Sequence, residues 1–108
     1  MAESQVPEGV RIEHVWAIEA TYAPDGAETR VPYRAEHLAR IAKLRREGII
    51  VAAGAYTDVT KSIVLIRAET EAEATAIARE DPYVRGGVWV EVRVKPFGLV
   101  VIEDGAGE

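Results

Sequence analysis

The sequence predicts one α+β domain in which two helices cover a single face of an antiparallel sheet. Three observations carry this. Two amphipathic stretches have helix punctuation at their ends, four shorter runs have strand character, and each helix lies between strands along the chain. A chain of 108 residues suits one hydrophobic core and leaves too little for a second.

Residues 1–13 are polar, contain Pro7 and Gly9, and are expected to form a flexible leader. The run 14–21 (HVWAIEAT) alternates Trp16, Ile18 and Ala20 with Val15, Ala17 and Glu19, as a strand does. Pro24-Asp25-Gly26 then marks a loop. The first helix starts after Pro32 and stops at Gly48, the usual placing of these two residues. At about 100° per residue its inward side holds Arg34, His37, Leu38, Ile41, Leu44 and Arg45, with Glu36, Arg40, Lys43 and Glu47 turned to solvent.

A second strand (IIVAA, 49–53) ends in Gly54, and a third (SIVLIR, 62–67) begins at Ser62. Thr70 and Glu73 form a capping box that opens a second helix, reaching about Glu80. Its stripe of Ala74, Ile77 and Ala78 extends by seven residues from Ala74 to Asp81, where Asp81-Pro82 stops it. The run 88–94 alternates strictly, with four valines on one face and Trp89, Glu91 and Arg93 on the other. Residues 98–102 can add a short fifth strand, and 103–108 form an acidic tail.

The order β-α-β-β-α-β is that of a ferredoxin-like antiparallel sheet with two helices on one face, over residues 14–102. Its core is expected from Leu38, Ile41, Leu44, Val64, Ile66, Ile77, Val90 and Val92. In this topology the start of the first helix, the end of the second, the loop after Gly54 and the start of the third strand meet at one edge. Arg34 and His37 therefore gather with Gly54, Ser62, Asp81 and Tyr83. The unperturbed pKa of a histidine lies near neutrality, which suits proton transfer by His37. Asp81 would fix its tautomer, Arg34 would hold an anionic group or enolate, and Ser62 would donate a hydrogen bond. His14 falls at the opposite end, so no metal site is expected, and no cofactor. The third strand is apolar on both faces, so a second copy is expected to cover the outer one, burying Trp89 with it.

A net charge of −5 argues against a nucleic-acid surface. The absence of cysteine removes disulfide, thiolate and zinc-thiolate chemistry. No run approaches the ~18 apolar residues of a membrane span, and a cytoplasmic location is expected.

The segments Arg34-Ala35-Glu36-His37-Leu38, Ala53-Gly54, Ser62, Asp81-Pro82-Tyr83, Gly87-Val88 and Val94-Lys95-Pro96-Phe97 together resemble the YciI-related proteins. The resemblance spans roughly residues 16–101. It implies the dimeric α+β barrel fold and a site centred on His37 and Asp81, with Arg34 and Ser62 beside them. It also implies acid–base chemistry: elimination, isomerisation or dehydrochlorination of a small phenolic, enol or lactone-like compound. The alternative is a small-ligand-binding or interaction module on the same scaffold. Ala55 and Lys61 depart from the family pattern, at the expected mouth of the pocket.

Overall fold

A computed structural model describes residues 5–103. In chain order it contains β1 (Val10–Tyr22), α1 (Gly26–Thr29), a 3₁₀ turn (Val31–Tyr33), α2 (Arg34–Arg46), β2 (Ile50–Ala55), β3 (Lys61–Ile66), α3 (Glu71–Arg79), α4 (Pro82–Arg85) and β4 (Trp89–Ile102). The sheet order is β2-β3-β1-β4 and every neighbouring pair is antiparallel. α2 and α3 lie on one face, so the ferredoxin-like α+β fold is the one the chain adopts. Among the described residues no helix is long and apolar enough to cross a membrane.

Ile18, Ile50, Val64 and Ile66 point from the sheet into the core, where Ala74 and Ala78 of α3 meet them. Ile41, Leu44, Ile77 and Val92 pack on this cluster half-buried. The helix ends follow local chemistry. Thr70 Oγ1 accepts the Glu73 amide at 3.1 Å, while Glu73 reaches back to the amide of Glu69 at 2.7 Å. Gly48 follows α2 with φ of 81°, a left-handed turn that glycine adopts without penalty.

Several expectations need correction. β1 begins at Val10, so residues 10–13, expected in the leader, pair instead with β4. Residues 98–102 are no fifth strand but the end of β4, whose far half ladders with the start of β1. Residues 1–4 of the leader and 104–108 of the tail lie outside the described residues.

The strict alternation of 88–94 fails at one place. The β1–β4 register slips between Thr21 and Tyr22, pairing Thr21 with Glu91 and Tyr22 with Trp89. Val90 is the extra residue of this bulge and is 61 % exposed. Beyond the bulge Trp89 turns onto the helix-covered face, 5 % exposed. It is therefore buried within the chain and not at an outer-face contact with a second copy.

The phase of α2 is also rotated from the expected one. Its buried side centres on His37 and Leu44 and takes in Arg40, whereas Leu38 is 48 % exposed and leaves the core. Tertiary packing decided this: α3 and Asp81 present polar partners to Arg40, and nothing comparable covers Leu38.

The bulge makes two neighbouring valines unequal. Val92→Thr places a hydroxyl against the core and is expected to cost about 1–3 kcal/mol. Val90→Thr keeps a β-branched shape in the open and should stay within about 0.5 kcal/mol. Denaturant unfolding of the two variants checks this; equal losses would restore the regular ladder.

Candidate active site

The two helices bring His37 and Asp81 together although they are 44 residues apart in sequence. His37 sits one turn into α2, buried at 7 % exposure, and Asp81 sits between α3 and α4 at 2 %. The imidazole Nδ1 lies 2.8 Å from one carboxylate oxygen of Asp81 and 2.9 Å from the other. Asp81 follows α3 and opens α4. Its backbone turns extended, as a residue before proline must, and its Oδ1 caps α4 by accepting the Tyr83 amide at 2.9 Å.

Arg40 supplies a third donor. One guanidinium nitrogen is 3.4 Å from Asp81 Oδ2 and the other donates to the Ile77 carbonyl at 2.7 Å. An ionised carboxylate only accepts, and all three groups that face Asp81 can donate. In a neutral ring that donates through Nδ1, Nε2 keeps its lone pair. Among the described residues Nε2 has no hydrogen-bond partner, and the ring lines an open cavity of about 420 Å³.

Aromatic rings fix the imidazole. Tyr83 stacks flat against it, with centroids 3.8 Å apart and planes 8° from parallel. Trp89 meets it edge-on at 5.5 Å, and Tyr83 at the same distance. Burial pushes the Tyr83 phenol above the ordinary tyrosine value and neighbouring Tyr22 adds to this, while Arg30 and Arg34 pull the other way. The phenol consequently stays a hydrogen-bond donor through neutral pH.

The cavity lies between the start of α2 and the β2–β3 pair. Ala53 and Ala55 present only methyl groups to it, and Gly54 presents none, so this edge of the sheet leaves room for a ligand. Arg34, His37, Gly54, Ser62 and Tyr83 all line it, and Asp81 stands behind His37. All six residues singled out from the sequence thus meet at one edge. Ser62 differs in detail: its hydroxyl donates to the Gly54 carbonyl at 2.9 Å, joining β3 to β2, so only its lone pairs face a ligand. At the mouth, Val59 has φ of 58°, a region that β-branched residues seldom occupy.

Sequence reasoning missed Arg40, Trp89, Tyr22 and Arg30. Arg40 follows His37 by three residues and so shares its side of α2, a signal that was available. Trp89 depends on the bulge, which nothing local announces. His14 pairs with Gly98, away from this cavity, and among the described residues no three His, Cys, Asp or Glu side chains cluster.

Comparison with known proteins gives the family and the fold. The chain is 37 % identical over 96 residues to protein YciI of Escherichia coli O6:H1, covering 80 % of this chain and 98 % of that protein. It is 34 % identical over 95 residues to an uncharacterized protein of Haemophilus influenzae, covering 79 % and 97 %. Among solved structures it is similar to the 5-chloro-2-hydroxyhydroquinone dehydrochlorinase TftG of Burkholderia phenoliruptrix, in complex with 2,5-dihydroxybenzoquinone. That likeness has a TM-score of 0.66 at 22 % identity, over 77 % of this chain and 92 % of the other, and establishes the fold. The YCII-related domain matches residues 15–98, and the chain therefore belongs to the family of YCII-related proteins.

Proposed function

We propose that the protein catalyses proton transfer on a small organic molecule, with His37 as the base and Asp81 as the group that orients it. The observation that carries this is the buried His37–Asp81 pair, which leaves one imidazole nitrogen free at a cavity. In the reaction His37 Nε2 takes a proton from a carbon next to a carbonyl, or from a phenol hydroxyl. The electron pair left behind moves onto oxygen as an enolate or phenolate. The protonated Tyr83 donates to that charge, and Arg34 holds it or an anionic group that the compound already carries. Returning the proton at another carbon isomerises the compound; departure of a leaving group from the neighbouring carbon eliminates it. Asp81 keeps the proton on Nδ1 throughout and gives up none of its own.

The fold neighbour TftG, a dehydrochlorinase of a small hydroquinone, supports elimination as the first chemistry to try. Purified protein offered small phenolic, lactone and enol compounds is expected to turn over at least one of them. His37→Asn should lower that rate by about 10²–10⁴, the usual contribution of a positioned base. Turnover unchanged in His37→Asn would overturn the reading, and binding without turnover would make the chain a recognition module.

The reading includes a second copy of the chain. On the face away from the helices, Ile63 and Leu65 of β3 stand beside Ala52 of β2 and Ala17 of β1. Pairing two such faces removes this apolar area from water, without Trp89. Light scattering should give twice the 11.8 kDa chain mass. A monomer at tens of micromolar would remove the second copy from the account.

A further inference from the structure

The cavity beside His37 carries fixed charge of one sign. Arg30 and Arg34 line it, and no carboxylate does among the described residues, in a chain whose net charge is −5. Arg11, Arg40, Arg67, Arg85 and Arg93 each pair with an acidic side chain. Among the described residues Arg30 and Arg34 pair with none, as is also true of Arg45, Arg46 and Arg79, but only Arg30 and Arg34 line the cavity.

Their placement is built by the backbone. Arg30 caps the end of α1 in helical conformation, the 3₁₀ turn follows, and Arg34 opens α2. The path between them passes through the 3₁₀ turn, and both residues line the same cavity. Like charges facing one cavity repel one another, and an anion between them removes the repulsion. Both also act on the Tyr83 phenol in the cavity wall, so their charge reaches the ligand's place. Apart from His37, Thr57 and Ser62, the rest of the lining is apolar or aromatic, including Leu38, Ile41 and Val64.

We propose that Arg30 and Arg34 together form a carboxylate subsite, and that the compound handled at His37 is a small organic acid with an apolar, unsaturated body. Its carboxylate takes the two guanidiniums, whose planar forks match a carboxylate's two oxygens. Its body extends over the apolar lining toward Nε2. This deepens the acid–base reading and rests on it for the turnover of that acid, but binding is measured separately.

Titrations followed by two-dimensional NMR, using 4-hydroxybenzoate and the isosteric 4-hydroxybenzamide, test the subsite. The acid should bind at least about tenfold more tightly than the amide, the scale of charge-assisted hydrogen bonds. Arg30→Gln and Arg34→Gln should each weaken the acid by about tenfold and leave the amide unchanged. Both side chains reach solvent, and unchanged spectra away from the cavity check that the variants fold. Equal affinity for acid and amide, no binding of the acid, or an Arg30→Gln variant that binds it undiminished would overturn the proposal. The two ideas fail separately. Acid binding that obeys the arginines, without His37-dependent turnover, removes the acid–base reading and keeps the subsite. His37-dependent turnover of neutral compounds, unaffected by Arg30→Gln, does the reverse.

Discussion

A carboxylate buried away from water must be given donors, and the placement of Asp81 organises the chain around meeting that need. Its three donors come from three places: the His37 ring and Arg40 on α2, and the Tyr83 amide at the start of α4. Satisfying Asp81 therefore fixes how α2 docks beside α3, and which side of α2 turns inward. Removing one donor from such a buried acceptor costs about 1–3 kcal/mol, because the group is left partly unsatisfied. The interaction that holds the helices together is also the one that gives His37 a defined tautomer. Stability and the proposed chemistry thus rest on the same contact.

The cavity has a separate origin. On the helix-facing side, β1 supplies Ile18 and Tyr22 where the core is filled, while β2 supplies Ala53 and Ala55. Small residues opposite the first turn of α2 leave the space between that turn and the sheet unfilled. Leu38, expected in the core, consequently lines the opening. Tyr83 and Trp89 close the floor and keep the ring from rotating away from Asp81. A long ribbon made by the ends of β1 and β4 continues past the helices without entering the site.

The element order and the meeting of His37, Asp81, Arg34, Ser62, Gly54 and Tyr83 were legible because both follow from local signals and topology. Capping at Thr70, glycine at 48 and proline at 82 set element ends, and the βαββαβ order then dictates which ends are neighbours. What escaped depends on long-range pairing. The bulge at Tyr22–Trp89 is a property of two strands, and neither sequence alone discloses it, so Trp89 and Val90 exchanged roles. The phase of α2 hinged on Arg40, whose long side chain reads as solvated until a buried acid appears beside it. That Asp81 also caps α4 was not legible, because α4 is only four residues long and has no periodicity to detect.

The central claim is that Asp81 holds the proton of His37 on Nδ1 and leaves Nε2 as the base. Nitrogen-15 NMR of the His37 ring, at a pH where the ring is neutral, measures this directly. The account predicts a protonated Nδ1, whose hydrogen exchanges slowly, beside an unprotonated Nε2. It also predicts that Asp81→Asn releases the ring to the mixture of tautomers seen for free imidazole. A wild-type ring carrying its proton on Nε2, or one indifferent to Asp81→Asn, would contradict it.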